Sequence, residues 1–455
     1  MEELRFAYKI NDDNKTFDVK FLMGTTDYYL DENNISQKAV RGTADSSPDT
    51  RKEYTVHPAF TDETSIGFKN GGWDSELTGI WVAKFEAGFA TSNGNTSPNI
   101  KSSVKYTQSV IWTGSAENGS GYDNNLTARN WLDGVYGENI INISFPIFQG
   151  AVYSMNNISF GATFAICRVL TEENNIYGLT DDTDSHLMKN SEWGATAYLA
   201  QSQYGLNGIN VYINNVSFNS GNSSTTKANG NEYASVYGVT GIESSKGSDE
   251  ETIILTNKSQ INNRSERENK NIRLWSDKNS GKASTTGNVY GIFDMSGGLC
   301  ERTTGFIANS FILKEEQNDT ILDCIKAYTD KTAEKYKTFS ANNILLKNKY
   351  MMQYPFDSTK DIDGGTDSIG ESNWQYNKSL KNKIYGDAMM ETSIKGTGSN
   401  SSDYFFSDSS WFYRGLYPYM LRGKRYDDKN EAGLFAYLRF YGRADYAIGF
   451  RAVLV

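Results

Sequence analysis

The sequence is poor in proline, cysteine and histidine. Its 455 residues include 6 prolines against 41 glycines, together with 3 cysteines and 2 histidines. Few prolines and many glycines are typical of a chain with many turns and short strands. The cysteines Cys167, Cys300 and Cys324 are odd in number and far apart, so neither a disulfide framework nor a CxxC metal clip can be identified. Buried free thiols are the favoured interpretation, and one disulfide bridge is the alternative.

The sequence also lacks an excess of basic residues and any long apolar run. Its net charge of −10 leaves no basic field to exchange for the counterions of a nucleic acid, and an anionic membrane is disfavoured for the same reason. No run approaches the roughly 20 apolar residues of a membrane helix, and the first residues, MEELRFAYKI, lack the order of a signal peptide. We therefore expect no membrane insertion, and either assembly inside a cell, as for virion parts, or earlier removal of a targeting segment.

Aromatic residues, by contrast, are abundant. They make up 13% of the chain, with 29 tyrosines and 23 phenylalanines, whereas all hydrophobic residues together reach only 38%. Rings with an apolar body and a polar tip suit both a core and a binding surface. Length and composition together predict a folded α+β protein with much irregular structure.

The first 53 residues predict a small β module. The stretches LRFAYKI and TFDVKFLM partly alternate apolar and polar residues on either side of the polar turn 11–15, which is the pattern of a hairpin. The polar stretch 40–54 is typical of a linker. We expect residues 1–53 to form an attachment module and residues 54–455 to form the main domain.

Three helices are predicted within the main domain. The segment 159–171 carries an apolar stripe at helical spacing, formed by Phe160, Phe164, Cys167 and Leu170. In the segment 190–201, Asn190 is a candidate cap, and Glu192 lies in the first turn, where it interacts favourably with the helix dipole. A further stripe predicts a helix at 319–337.

The polar segments 216–284 and 357–403 predict long surface loops. Within the second, DIDGGTD places Asp361, Asp363 and Asp367 around two glycines, like a shortened calcium loop with oxygen ligands. It lacks the EF-hand spacing and the terminal glutamate, so a plain surface turn is the favoured interpretation. Calcium is the alternative, and no other cofactor is expected.

Four segments, in order, carry a resemblance. ELTGIWVAKFEAG (76–88) is similar to a W-x-x-K-x-E strand, and DSHLMKNSEWGATAYLAQSQYG (184–205) to a helix leading into a core tryptophan. TTGNVYGIFDMSGGLCERTTG (285–305) is similar to an N-x-Y-G-x-x-D-M-x-G-N-V-x-E-W turn, and SSWFYRG, AGLFAY and GFRAVLV (409–455) match closing W-x-x-R-G-G and G-F-R-V-V strands. Together they resemble the formylglycine-generating-enzyme/sulfatase-modifying family over about residues 54–455, which implies a C-type-lectin-like fold.

The motif residues predict mainly structural roles. The glycine pair 297–298 allows positive φ or a close approach of backbone, and Asp294 can bond neighbouring backbone amides. Arg451 is expected at the edge of the core, paired with a carboxylate such as Glu86 or Glu301.

The resemblance does not extend to the chemistry of the family. Its oxidase members bind copper with a cysteine pair near the C-terminal arginine–glycine segment, and this chain has no cysteine after Cys324. Another branch holds non-haem iron with histidines, and only His57 and His186 are present. The aspartates and the serine around His186 suggest a capped loop before a helix more than a catalytic triad, because triad members converge in space. We expect no catalytic role.

The last 45 residues contain the candidate binding surface. Between the core motifs lie LYPYMLRGKRYDDKNE and AYLRFYGRADYAI, rich in tyrosine and arginine. Tyrosine supplies contact area and a hydroxyl, and arginine supplies a planar fork of donors, whereas Trp411 and Phe412 are expected in the core. A tyrosine-rich core is the alternative for the whole segment 411–455. The predicted ligand-binding residues are Leu416, Tyr417, Tyr419, Met420, Leu421, Arg422, Arg425, Tyr426, Tyr437, Arg439, Phe440, Tyr441, Arg443, Asp445 and Tyr446.

This arrangement resembles the variable proteins of diversity-generating retroelements, in which adenine-directed mutagenesis rewrites a C-terminal lectin-type segment. The resemblance implies a phage tail adhesin or bacterial surface protein that binds a protein or glycan receptor on a cell surface. The alternative is a structural member of the same fold whose C-terminal loops lie in a homo-oligomer interface. An oxidase of the family is the least favoured function.

Overall fold

Most of the described elements are short strands, with six helices lying between groups of them. The computed structural model describes residues 1–43, 46–66, 70–89, 146–156, 160–171, 177–180, 182–219, 236–243, 252–256, 259–278, 280–307, 349–357, 368–379, 384–394, 396–398, 405–413, 417–440, 442, 445 and 447–455. Its strands are β1 (Glu2–Leu4), β2 (Phe6–Asn11), β3 (Thr16–Phe21), β4 (Tyr28–Leu30), β5 (Ser36–Lys38), β6 (Thr55–Val56), β7 (Gly79–Val82), β8 (Gly88–Phe89), β9 (Tyr153–Ser154), β10 (Ser185–Leu187), β11 (Val216–Asn219), β12 (Val236–Gly238), β13 (Ile242–Glu243), β14 (Ile253–Leu255), β15 (Arg273–Leu274), β16 (Cys300–Ile307), β17 (Met352–Tyr354), β18 (Thr397–Gly398), β19 (Ser410–Trp411), β20 (Tyr419–Gly423), β21 (Gly433–Phe440), β22 (Ile448–Phe450) and β23 (Ala452–Leu454). Its helices are α1 (Glu63–Ile66), α2 (Phe160–Arg168), α3 (Asn190–Ala200), α4 (Ser259–Asn262), α5 (Arg264–Glu268) and α6 (Ser368–Ser379), with 3-10 turns at Pro58–Phe60, Val169–Thr171, Phe405–Ser407 and Lys429–Glu431. The predicted α+β class is confirmed.

A four-stranded antiparallel sheet joins the first and last strands. Its order is β1-β7-β23-β10. Glu3 lies opposite Ile80, and Val453 lies between Val82 and His186. The strand predicted from the first family-like motif is β7, and the strand at the end of the last motif pairs directly with it.

The predicted N-terminal hairpin is also confirmed. In β2 and β3, Phe6 lies opposite Phe21, and Asn11 lies opposite Thr16. The free edge of β3 is covered by a side chain, because the amide of Gln203 accepts the N–H of Val19 at 3.2 Å and donates to its carbonyl at 2.6 Å.

The buried face of this hairpin packs against α3. Phe6, Tyr8 and Phe17 belong to one apolar cluster with Trp193 and Tyr198 of α3. The rings of Phe17 and Tyr198 stack with 3.9 Å between their centroids. The division into an attachment module, residues 1–53, and a main domain, residues 54–455, stays a prediction, with the hairpin packed against α3 of the main domain. The alternating pattern specifies strands, but it does not specify what their buried face packs against.

Helix α3 is buried on almost every side. The Glu192 carboxylate accepts the backbone N–H of Lys189 at 2.8 Å and so satisfies a free donor at the helix start. The prediction that Asn190 caps the helix is wrong, because Asn190 is already its first residue. Its side-chain amide instead faces the hydroxyls of Tyr354 and Tyr413 at 3.3 and 3.4 Å.

Helix α2 confirms the helix predicted at 159–171. The buried members of its stripe are Phe160, Phe164, Cys167 and, in the following 3-10 turn, Leu170. Cys167 and Cys300 are buried free thiols, as favoured by the sequence. Cys324 and the helix predicted at 319–337 lie outside the described residues. None of the described helices is both long and apolar enough to cross a bilayer.

The two polar segments contain more regular structure than the predicted loops. Strands β11 to β15 and helices α4 and α5 lie within 216–284, and α6 lies within 357–403. Apolar residues in the first segment, Val216, Leu255 and Ile272 among them, join the core cluster that also contains Phe160. The loop prediction was wrong here because it rested on the average composition of each segment. Polar residues dominate that average and hide the short apolar clusters that form strands and helices.

The central sheet carries the C-terminal segment. Its order is β17-β16-β20-β21-β19-β18, and β22 also pairs with β16. Every residue of β16 is buried, and this strand pairs with β17 in parallel and with β20 antiparallel. The hairpin made of β20 and β21 therefore lies inside the sheet.

Candidate functional site

The C-terminal hairpin, β20 and β21, is held in a fixed register. Tyr419 lies opposite Phe440, and Leu421 lies opposite Leu438. Gly423 has a φ of 78°, a conformation that favours glycine, and the register shifts there. Since opposite residues in an antiparallel pair share a face, successive pairs point to alternate sides of the sheet.

Many of the predicted contact residues on this hairpin are buried. β16 pairs with β20, β19 pairs with β21 only at Tyr437, and core clusters pack against the hairpin, so its interior positions are not accessible to a partner. The prediction of an exposed surface is wrong for these members of the set: Tyr419, Met420, Leu421, Arg422, Tyr426, Tyr437 and Arg439, of which Arg439 is 8% exposed.

Arg422 shows how a predicted contact arginine is used inside the protein. Its guanidinium donates to the carbonyls of Asp387 at 2.8 Å and Ala388 at 3.1 Å, and its Nε donates to Ala436 at 3.1 Å. It also lies over the ring of Trp193, 5.4 Å from the centroid. Burial lowers the pKa of Arg422. The residue therefore ties the segment 386–393 to the hairpin and to α3.

The other predicted residues lie toward the outside. Tyr417, Arg425, Phe440 and Asp445 are half-buried. The positions of the set that lie outside the described residues are Leu416, Tyr441, Arg443 and Tyr446.

One face of the hairpin edge holds an arginine beside two aromatic rings. We call these three residues, Trp411, Arg439 and Tyr417, the aromatic–arginine row. The Arg439 guanidinium carbon lies 5.3 Å from the Trp411 ring centroid and 5.8 Å from that of Tyr417. Its Nη1 donates to the Phe412 carbonyl at 3.2 Å. Phe412 is in the core as expected, but Trp411 is half-buried. Cation–π contacts therefore hold both rings in place at the surface.

The opposite face of the same edge is apolar. Leu438 and Phe440 are half-buried, and the Arg302 guanidinium lies 5.9 Å from the Phe440 ring centroid. Burial lowers the pKa of Arg302 to about 10, while the nearby Asp445 carboxylate acts against this shift. Leu438 is not among the predicted contact residues, although its spacing of two from Phe440 places both side chains on the same face of the strand. The buried residues beneath this face are Cys300, Leu421 and Ile448.

Both histidines lie in the core. Nε2 of His186 is 2.9 Å from Oε1 of Glu192, and its Nδ1 is 3.8 Å from Oδ1 of Asp184. Burial alone lowers the pKa of His186, but the two carboxylates outweigh burial and raise it. His57 accepts the backbone N–H of Ala59 at 3.2 Å, and burial lowers its pKa to about 3. Both rings therefore have structural partners.

Arg451 pairs with Glu301, one of the two expected carboxylates. Its Nε donates to Glu301 Oε2 at 2.9 Å, and its Nη1 and Nη2 donate to the carbonyls of Ala83 and Phe293, each at 2.8 Å. Glu86 instead accepts the N–H of Leu299 at 3.1 Å, and burial raises its pKa.

Asp294 bonds backbone, but not the neighbouring amides that the sequence suggested. It accepts the N–H of Gly241 at 2.8 Å and the side-chain amide of Asn214 at 2.9 Å, both distant in sequence. Its own φ is 65°, and the glycine pair 297–298 has φ of 74° at both positions, as predicted. Burial raises the pKa of Asp294 to about 6.

No group of three or more histidine, cysteine or acidic side chains suited to a metal ion occurs in the part of the chain that the structure describes. The calcium candidates Asp361, Asp363 and Asp367 lie outside that part.

Comparison with known proteins adds no assignment. No family model matches the sequence, and no curated protein matches it. The lectin-type resemblance therefore rests on the motifs themselves.

Proposed function

We propose that this chain is a non-catalytic binding protein that contacts a protein or glycan receptor through the edge of its C-terminal hairpin. The observation that carries the proposal is the aromatic–arginine row, in which Arg439 holds the half-buried rings of Trp411 and Tyr417 on a sheet. Rings that are already ordered lose little conformational entropy on binding, and aromatic residues and arginine dominate binding hot spots. Leu438 and Phe440, on the opposite face of the same strand, give a partner that grips this edge a second, apolar contact.

We propose a C-type-lectin-like scaffold of the formylglycine-generating type beneath this edge. The support is that three of the family-like motifs meet at one side chain. Arg451 of the closing strand donates to Ala83 of the first motif and to Glu301 of the glycine-rich turn motif. A shared core contact among motifs so far apart in sequence is what a common ancestral scaffold requires.

A direct test of the contact surface is alanine replacement of Tyr417 and Phe440. The labelled protein is incubated with a panel of intact bacterial cells, and each variant is compared with the unchanged chain on the cells it binds. We expect each variant to lose about tenfold or more in affinity while its circular-dichroism spectrum stays that of the unchanged chain. Tyr290→Ala is the matched control, because this tyrosine is 78% exposed and lies outside the hairpin. Equal loss in Tyr290→Ala, or unchanged binding in the hairpin variants, contradicts the proposal.

We further propose that this edge is diversified, as in variable proteins of retroelements. The test is to sequence the locus across isolates. We expect substitutions at Tyr417, Phe440, Asp445 and the positions around them. The buried Tyr419, Leu421 and Tyr437 are expected to stay constant, since changes there would open cavities in the sheet. Substitutions spread evenly along the chain would rule out diversification and leave the contact surface to be judged separately.

The alternative is a structural protein of a phage virion or bacterial surface, whose hairpin edge packs against another copy of the chain. The half-buried Trp411 and Phe440 favour this alternative as much as receptor binding, because apolar edges also form oligomer interfaces. Sedimentation of the Phe440→Ala variant distinguishes the two. A change from oligomer to monomer supports the interface, and an unchanged mass with lost cell binding supports the adhesin. An oxidase of the family remains the least favoured function.

A further inference from the structure

A polar cleft lies away from the hairpin edge and shares no residue with it. Its volume is about 330 Å³, and it is formed by the N-terminal segment 47–51 on one side and by Lys378 of α6 with residues 384–391 on the other. This volume lies at the lower end of the range for small-molecule sites, about 300 to 1,000 Å³, which suits one small ligand.

The cleft is preformed because the Glu391 carboxylate ties its walls together. Oε1 of Glu391 accepts the hydroxyl of Thr50 at 2.6 Å. Oε2 accepts the hydroxyls of Tyr8 at 2.7 Å and Tyr198 at 2.8 Å, and the backbone N–H of Gly386 at 2.6 Å. One carboxylate therefore joins β2, α3 and both walls of the cleft, so a ligand would not have to order the site itself.

The lining offers donors and acceptors above an apolar floor. Arg51 donates through Nη2 to Asp12 and to the Glu391 carbonyl, each at 2.9 Å, and its Nη1 has no hydrogen-bond partner among the described residues. The Asp49 carboxylate is 47% exposed and supplies acceptors. The buried side chains of the floor are Ile384, Tyr385 and Met390.

The charges of the lining do not favour an anion. Arg51 is already paired with Asp12, and Lys378 donates to the Met390 carbonyl. The carboxylates of Asp49 and Glu391 lie in the same cleft, so a phosphate or carboxylate would meet repulsion as well as attraction. A neutral ligand with many hydroxyls avoids this repulsion.

We propose that this cleft binds one neutral pyranose ring. The alternating hydroxyls of such a ring match the mixed donors and acceptors of Arg51 and Asp49, and its C–H face matches the floor formed by Met390 and its neighbours. The site would give the protein a sugar-binding function that is independent of the hairpin edge.

The test is a titration of the full chain with the methyl glycosides of glucose, galactose and N-acetylglucosamine, followed by calorimetry and by saturation-transfer NMR. We expect at least one glycoside to bind saturably, with a Kd of about 1 mM. Arg51→Gln is expected to weaken this binding about tenfold by removing a charged donor. Arg264→Gln is the matched control, since it also removes an exposed arginine that is paired with a carboxylate, Glu268, and neither residue lines the cleft.

A second variant tests the cleft without disturbing the hydrogen bonds that hold its walls together. Ser47→Phe fills the mouth of the cleft without removing a hydrogen bond from Glu391, so it should abolish binding at an unchanged melting temperature. Binding that survives Ser47→Phe, no saturable binding of any glycoside, or tighter binding of inorganic phosphate than of the glycosides would each overturn the proposal. Tyr417→Ala should leave glycoside binding unchanged, so failure here is distinguishable from failure of the hairpin surface.

Discussion

Arg451 is the residue on which the carboxylates of the inner core depend most directly. It pairs with Glu301, while Glu86 and Asp294 lie close enough for their charges to act on it. Removing the arginine leaves a buried carboxylate without its partner, so we expect Arg451→Gln to lower the free energy of unfolding by about 3 to 5 kcal/mol. Thermal and urea unfolding measure the loss.

The loss should depend on pH. Burial raises the pKa of Glu301, and Arg451 acts against that shift, so the pKa rises further in the variant. A carboxyl whose pKa is raised by folding binds more protons in the folded state than in the unfolded state. The free energy of unfolding of the protein therefore falls as pH rises. The deficit of Arg451→Gln should be smaller at pH 5 than at pH 8, and Glu301→Gln in the same chain should recover part of it. An equal deficit at both values, with no recovery, would argue against this account.

The two histidines should titrate in different pH ranges. The pKa of His186 is raised by the carboxylates of Glu192 and Asp184 against the effect of burial, whereas burial lowers the pKa of His57 to about 3. Because the chain has only 2 histidines, NMR should show two imidazole Cε1 signals. We expect one to titrate above the unperturbed value of about 6.5 and the other to stay unchanged down to pH 5. Two signals that both titrate near that value would contradict the described environments.

These titrations have opposite effects on stability. The contribution of His186 is fully present below about pH 6.5 and is lost as pH rises through its raised pKa. His57 stays neutral in the fold, so its contribution is present above about pH 6.5 and is lost as pH falls toward its lowered pKa. His186→Gln should therefore remove stability mainly at neutral and lower pH.

At the scale of single residues, the sequence predicted ion pairing and backbone conformation better than it predicted which side chains are buried. Arg451 and the pair 297–298 follow from local rules about charge and backbone freedom. The burial of Arg422 does not, because its partners are carbonyls from segments 35 residues earlier and 14 residues later, and no local pattern marks a carbonyl as an acceptor.

At the scale of elements, the packing of α3 depends on Gly194. A Cβ at this position would lie 2.0 Å from the Gly386 carbonyl oxygen, so the helix and the segment 386–393 touch through backbone. Glycine to alanine in a helix usually stabilises by about 0.5 to 1 kcal/mol. Here we expect Gly194→Ala to destabilise by about 1 to 3 kcal/mol, because the methyl group overpacks the contact. Leu199→Ala, at a half-buried position of the same helix, controls for general disturbance, and a raised melting temperature for Gly194→Ala would contradict the contact.

The C-terminal hairpin shows why periodicity located strands without locating the surface. Alternation in AYLRFYG places Leu438 and Phe440 on one face and Tyr437 and Arg439 on the other. Alternation cannot show which strands pair with the hairpin. One of these strands, β16, lies more than a hundred residues earlier in the chain. The tyrosine- and arginine-rich stretch therefore predicted a contact surface, whereas seven of the eleven described residues in the predicted set are buried.

At the scale of the whole molecule, the N-terminal strands should be indispensable. The sequence predicts that residues 54–455 form a domain without residues 1–53. In the structure, Phe6, Tyr8 and Phe17 share a cluster with α3, and β1 pairs with β7. We expect deletion of residues 1–53 to give an unfolded or aggregated chain by circular dichroism and size-exclusion chromatography. A soluble monomer with native helix content would show that the original boundary is correct.

The limits of sequence reasoning lie mainly in long-range contacts. The α+β class, the N-terminal hairpin and helices α2 and α3 follow from spacing within a few residues. The cleft between 47–51 and 384–391 does not, since Thr50 and Glu391 meet across 341 residues. Candidate sites assembled from such contacts require coordinates.

The amide of Gln203 has a consequence for behaviour in concentrated solution. By occupying both the N–H and the carbonyl of Val19, it leaves no vacant hydrogen-bonding group at this position in the middle of β3 for a foreign strand. Without this side chain, the two groups would be open to pairing with a strand of another copy of the chain. A single glutamine side chain thus disfavours strand-to-strand association at this position.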